Sequence, residues 1–147
     1  MLKETLSGIF ERDLNRLLTE INLYKDEDNL WLVKEGISNS AGNLCLHLLG
    51  NLNHFIGATL GHTGYVRYRD DEFSLKNILR QDLVINIKNC ILIVKDTLKD
   101  LPEEELEKDF PLEVLGKKDS TEFILVHLAT HLTYHLGQIN YHRRLLD

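Results

Sequence analysis

Three histidines, His47, His131 and His135, are the residues of this sequence whose type and spacing could most directly do chemistry. They lie in two helical patterns that carry no Asp, Glu, Lys or Arg, from Gly36 to Val66 and from Phe123 to His142. The i, i+4 spacing of the second and third places both imidazoles on one helix face, with roughly 5–6 Å between their Cβ atoms. A neutral imidazole nitrogen is a good ligand for Zn²⁺, Ni²⁺ or Fe²⁺, and three protein ligands leave a coordination position open. The pattern therefore predicts an open divalent-metal site, although an H-x-x-x-H pair by itself is a weak motif.

Further polar residues gather on the same helix faces. Asn51 lies one turn after His47, and His127 and Gln138 lie on either side of the His131–His135 pair. At about 100° per residue they fall beside the three histidines, so we expect them to bond the metal ligands or to contact substrate. No carboxylate shares the face of His47, so the sequence does not identify a general acid or base, and Gln138 and His127 are the nearest polar candidates.

The other histidines favour ordinary structural roles. We interpret His54, like His127, as a residue near the site or its entrance. His62 lies in a glycine-rich turn, and His142 lies near a helix end that we expect to fray.

Four long helices must position these residues. Apolar residues at three- and four-residue steps predict helices over about 2–24, 41–60, 74–101 and 120–146. Ser38, Asn39 and Ser40 offer caps for the second helix and Ser74 for the third, and Asp119 with Glu122 forms a capping box for the fourth. The β-branched run within residues 83–94 leaves a strand as the competing prediction there.

The two helices without charge should be the buried pair of a four-helix bundle. A bundle helix normally keeps one face in water, so a helix without any charge indicates contact with a second subunit, and we expect a homodimer. The connection from Gly61 to Phe73 is long enough to be a crossover between the second and third helices. Its residues Arg67, Arg69, Asp70 and Glu72 are either a lid or substrate clamp or simply a solvated loop.

Composition excludes several classes of protein. The 147 residues are 43% hydrophobic, which suits one domain over 1–147. The net charge of −6 without a basic cluster argues against nucleic acid as a partner. The first residues lack a secretory-signal pattern, the histidine-rich helix is a poor membrane span, and Cys45 and Cys90 stand apart, so we expect a reduced cytoplasmic protein.

The histidine segments resemble those of a known family. Residues 43–52, NLCLHLLGNL, followed by residues 131–139, HLTYHLGQI, are similar to the DinB-like superfamily of small bacterial four-helix bundles. The resemblance implies a four-helix bundle with a long crossover between helices two and three, often dimeric, and a nickel or zinc ion bound at His47, His131 and His135. Some relatives are metal-dependent transferases that attach a low-molecular-weight thiol such as bacillithiol, mycothiol or glutathione to a substrate, or isomerases that use such a thiol. Others have no assigned activity.

Two classes of function follow. In the first, the chain is a metal-dependent enzyme, a thiol S-transferase or hydrolase-like protein, that activates a thiol or water for attack on a small-molecule substrate. In the second, it is a non-enzymatic metal-binding or stress-associated module whose ion fastens two helices together. A third reading has the histidines merely hydrogen-bonded in a metal-free bundle.

Overall fold

The protein is all-helical and contains no β-strand. In a computed structural model describing residues 1–147, five α-helices form: α1 Leu2–Leu23, α2 Ala41–Leu52, α3 Arg69–Ser74, α4 Arg80–Asp100 and α5 Thr121–Leu146. Short 3₁₀ turns occupy Glu27–Trp31 and Glu103–Glu105. The all-α prediction is confirmed, and the competing strand over 83–94 is wrong because α4 spans it.

The core lies between four long helices. Helix α1 packs against α4 and α5, and α2 also packs against these two as well as against α3. The apolar stripe of α1 is buried, with Phe10, Leu14, Leu17 and Ile21 fully shielded from solvent. This arrangement brings α2 and α5, the two helices that carry the histidines, into contact.

Two helix starts differ from the sequence prediction. Helix α4 begins at Arg80 and not after Ser74, and its first backbone N–H is bonded by the Glu27 carboxylate of the first 3₁₀ turn. Glu27, which is distant in sequence, therefore caps the N-terminus of α4 in place of a nearby residue. Helix α5 is capped by Ser120, whose hydroxyl accepts from the Phe123 N–H at 3.1 Å, so the predicted Asp119 capping box is wrong by one residue.

The α-helical part of the second helix ends earlier than predicted. It is capped by Ser40, as expected, but after Leu52 the backbone continues as a π-helical segment over Asn53–Ala58. Gly57 and Gly61 lie against α4, where a Cβ on Gly57 would lie 3.1 Å from Ile93. These glycines let the end of this helical stretch approach α4 closely.

Of the two stretches without charge, α2 is buried as predicted, and α5 keeps one face exposed in the single chain, the face for which the sequence predicts contact with a second subunit. Helix α2 is almost entirely buried, whereas α5 exposes Phe123 by 50%, Tyr134 by 65% and Tyr141 by 63%. None of the helices combines the length and hydropathy needed to cross a bilayer.

His142 is a core residue and not part of a frayed end. It is 6% exposed; its Nε2 donates to the Leu32 carbonyl at 2.9 Å, and its Nδ1 lies 2.6 Å from the Tyr24 hydroxyl. With the ring proton on Nε2, the tyrosine is the donor. The pair ties the last turns of α5 to the chain that follows α1.

Candidate metal centre

The three predicted histidines converge between α2 and α5. One ring nitrogen from each of His47, His131 and His135 lies within 4.8 Å of the other two. Nε2 of His47 and Nε2 of His131 are 3.1 Å apart. The His131 and His135 ring centroids are 4.5 Å apart, as their i, i+4 spacing on α5 predicts. His47 is buried, and the other two are half-buried.

His47 is oriented by the short helix α3. Its Nδ1 lies 3.0 Å from Oε1 of Glu72, and the Phe73 ring lies 4.9 Å from the imidazole, centroid to centroid. Because an ionised carboxylate only accepts hydrogen bonds, the ring proton of His47 lies on Nδ1. The lone pair of Nε2 then faces the other two histidines, where Nε2 of His131 lies within hydrogen-bonding distance of it.

Glu72 is itself held by Arg67. The guanidinium donates from Nε to Oε2 at 2.8 Å and from Nη2 to Oε1 at 3.0 Å, a bidentate pair in which both side chains are largely buried. Burial would raise the pKa of the Glu72 carboxyl, but hydrogen bonds from His47 and Arg67 outweigh it and lower the pKa below its usual value. Glu72 is therefore ionised at neutral pH.

Two features of α2 make room for this carboxylate and fix its backbone. The Asn43 side chain, fully buried, donates to the carbonyls of Glu72 and Leu75 at 3.0 and 2.8 Å. Gly50 lies directly under the carboxylate, and a Cβ there would overlap it. The glycine is thus required by close approach, and the asparagine anchors α3 to α2.

His135 is oriented from its own helix. Its Nδ1 lies 2.6 Å from the Gln138 side-chain oxygen, so Nδ1 carries the proton and Nε2 is free. His131 differs from the other two histidines because its Nδ1 is buried and has no partner.

The environment keeps the α5 histidines neutral. Burial, supported by the neighbouring His135 and His47, lowers the pKa of His131 from 6.5 to about 4. Burial also lowers the pKa of His135, although the Gln138 hydrogen bond opposes the shift. Neutral imidazoles are the form that coordinates a metal.

This donor set fits a divalent ion such as zinc or nickel. Metal-binding histidines usually donate their second ring N–H to a carboxylate or carbonyl oxygen, which is the arrangement of His47 with Glu72 and of His135 with Gln138. Tetrahedral Zn–N bonds of about 2.0–2.1 Å need nitrogen separations of about 3.3 Å. The Nε2 atoms of His47 and His131, 3.1 Å apart, are already close to this separation. All the ligand nitrogens lie within 4.8 Å of one another, so side-chain movement of about 1.5 Å would bring the third to the ion.

The other candidates lie in different places. Gln138 contacts a predicted ligand directly, and the His127 ring lies 6.3 Å from that of His131. Asn51 is buried, and its side-chain oxygen has no hydrogen-bond partner. It therefore makes no hydrogen bond to any of the three histidines. His54 packs edge-on against Phe55. Cys45 and Cys90 are buried free thiols, and burial raises the pKa of the Cys90 thiol to about 12.

Glu72 is the residue that sequence reasoning missed as a partner of His47. It lies in the charged connection for which the sequence allows a lid, a substrate clamp or a solvated loop, 25 positions from the histidine it contacts. The available signal was Gly50, three residues after His47 in a charge-free helix, which leaves space for a side chain from elsewhere.

The family described as "Protein of unknown function (DUF1572)" matches residues 10–147. The chain belongs to the DUF1572 family. No curated protein matches it. The match includes all three histidines and Glu72, so the candidate metal centre of this DUF1572 protein lies wholly within the family region.

Proposed function

We propose that this protein is a divalent-metal-dependent enzyme of the DinB-like kind, with nickel or zinc held by His47, His131 and His135. The observation that carries the proposal is the convergence of three imidazole nitrogens. In two of these rings the other nitrogen, Nδ1, is hydrogen-bonded, in His47 to Glu72 and in His135 to Gln138. A set of only three protein ligands is typical of catalytic and not of closed structural sites. The four long helices would then be the bundle of such proteins, and the segment from Gly61 to Phe73 would belong to its crossover.

When bound, the ion would supply a Lewis acid that makes a water or a low-molecular-weight thiol acidic enough to act as a nucleophile near neutral pH. The residues of the chain do the rest. Glu72 and Gln138 hold the ring proton of their histidine on Nδ1, and Glu72 adds a negative charge beside His47. Arg67 keeps that carboxylate ionised and immobile.

The thiol S-transferase reaction is the form of the proposal that we favour, with a hydrolase-like reaction on water as its alternative. Both rest on the DinB-like resemblance and on the open ligand set. The substrate would be an electrophilic small molecule, and the chain would work in the cytoplasm as a homodimer. Phe123 and Val126 are exposed and lie in the part of α5 that carries no charge, Phe123 to His142, which supports the dimer; sedimentation analysis would test it.

A cobalt-substituted protein tests the open coordination position without knowledge of the substrate. We expect the visible spectrum of the Co²⁺ form to change when 2-mercaptoethanol is added, because the thiol takes the free position. The His131→Ala variant should show neither the starting spectrum nor the change. A Co²⁺ spectrum that thiol, azide and cyanide all leave unaltered would indicate a closed site and favour the non-enzymatic module. Thiol consumption with chlorinated and epoxide substrates would then measure turnover.

A further inference from the structure

A cleft of about 700 Å³ opens directly beside the histidine trio. One wall is the irregular segment from Lys34 to Asn39, and the other is α5 from Tyr134 to Leu146. His135 and Gln138 belong to this lining, so the cleft begins at the candidate metal centre and runs along the last three turns of α5. The volume is within the range of small-molecule sites, about 300–1,000 Å³.

The lining is apolar and aromatic with few charges. Ile37, Leu44, Tyr134, Tyr141 and Leu145 supply the apolar surface. Lys34 and Glu35 are the only charged residues in the lining, and their charges have opposite signs. Such a surface offers little to a compact anion such as a phosphate, which needs an uncompensated cationic group.

Some hydrogen-bonding capacity remains in the cleft. Gln138 uses its side-chain oxygen on His135, which leaves its NH₂ group as a donor. His142 also lines the cleft, but both of its ring nitrogens are committed to Tyr24 and Leu32, so it contributes no free polar atom. Polar side chains are therefore available at the end that holds His135 and, from Ser38 and Asn39, on the facing wall.

A second cavity does not compete for this role. It has a volume of about 310 Å³ and lies on the far side of Gly50, lined by Asn53, Asn86, Asn89 and Glu72 among others. None of the three histidines belongs to its lining. A molecule there would be separated from the trio by the Glu72 carboxylate.

We propose that the cleft beside His135 binds the uncharged, aromatic or aliphatic body of the substrate and directs its reactive group to the histidine trio. This proposal rests on the proposed metal function and adds the chemical class of the substrate. Tyr134 and Tyr141 are the residues that would select it, by contact with the apolar body.

Hydroxamates test the assignment because they combine a metal-binding head with a tail of choice. Titration calorimetry on the zinc-loaded full chain would compare acetohydroxamate, 4-phenylbutanohydroxamate and a hydroxamate of equal chain length that ends in a carboxylate. Zinc content would be measured before and after each titration. Burial of a phenyl ring predicts an affinity gain of about tenfold or more over acetohydroxamate. The carboxylate tail should bring no such gain.

Variants locate the tail. Tyr134→Ser with Tyr141→Ser should reduce the gain, measured against acetohydroxamate on the same variant, to less than about threefold; both side chains are mostly exposed and not needed for folding. Tyr68→Ser is the matched control, an exposed tyrosine outside the cleft, and should keep the full gain.

The outcomes separate the two proposals. Equal affinity for the phenyl and methyl hydroxamates, a gain that survives the double tyrosine variant, or an equal gain from the carboxylate tail would each overturn the cleft assignment while the metal centre stands. Failure of every hydroxamate to bind would overturn the open metal centre itself, and the cleft assignment with it.

Discussion

Replacing Gly50 by alanine should weaken metal binding while leaving the fold intact. A Cβ at this position overlaps the Glu72 carboxylate, which is the end of a flexible side chain and can move aside. The displaced carboxylate would lose its 3.0 Å contact with His47 Nδ1 and its bidentate pair with Arg67. Loss of such a hydrogen-bond partner of a metal ligand typically costs 10–100-fold in affinity, or about 1.4–2.8 kcal/mol.

The stability of the metal-free chain should change little. Alanine is favoured over glycine in a helix interior by about 1 kcal/mol. The disturbed hydrogen bonds of Glu72 act in the opposite direction by about 1–3 kcal/mol. We therefore expect a fall of less than about 2 kcal/mol in the free energy of unfolding, and a native circular dichroism spectrum.

The assay is a zinc titration in competition with a chelating indicator. Gly8→Ala is the matched control, because that helical glycine has open space around it and its variant should bind zinc as the parent does. Glu72→Gln should weaken binding similarly, and the Gly50→Ala, Glu72→Gln double variant should be no worse than the poorer single variant. Unaltered zinc affinity in Gly50→Ala, or additive losses in the double variant, would refute the role assigned to Glu72.

Three further predictions concern stability. Tyr24→Phe leaves Nδ1 of His142 buried without a donor and should cost about 1–3 kcal/mol in urea unfolding; a value near zero would show that the pair contributes nothing. Asp13 is fully buried, and its carboxylate accepts hydrogen bonds from Thr133 and Arg12. Burial raises the pKa of this carboxyl, but the hydrogen bonds outweigh burial and lower it. The ionised carboxylate therefore stabilises the fold above about pH 4, and this stabilisation is lost on further acidification. Asp13→Asn should therefore cost about 1.5–3 kcal/mol at pH 7 and much less near pH 2, and an equal cost at both would contradict the assignment. In the metal-free chain, His131 stays neutral in the folded state, whereas in the unfolded state it gains a proton below about pH 6.5. The free energy of unfolding should therefore fall as the pH drops from 6.5 toward 4. The fall should be less steep in the His131→Gln variant. Parallel pH profiles would refute the lowered pKa.

The sequence predicted the helices well because their signals are local. The 3.6-residue periodicity of apolar residues identified α1, α5 and the end of α4 to within a residue or two, and Ser40 is among the expected caps. The start of α4 was missed because its first N–H is bonded by Glu27, 53 positions earlier in the chain. A contact of that kind leaves no pattern near the helix it caps.

The candidate metal centre divides in the same way. His131 and His135 are neighbours through helix geometry alone, and their shared polar face indicated the site. His47 could be joined to them from the polar face of its own helix and from the family resemblance. Glu72 could not, because its contact depends on how α3 folds back over Gly50, and its charge was typical of a solvated connection.

Metal content measured by mass spectrometry, on chain purified without an affinity tag and loaded with zinc or nickel, tests the central claim most directly. Convergence of the three imidazoles predicts one tightly held ion per chain, and a marked loss of it in each of His47→Ala, His131→Ala and His135→Ala. His62→Ala, which alters a histidine in an exposed turn, should retain the full complement. Content well below one ion per chain, or content that the three substitutions leave unchanged, would contradict the account.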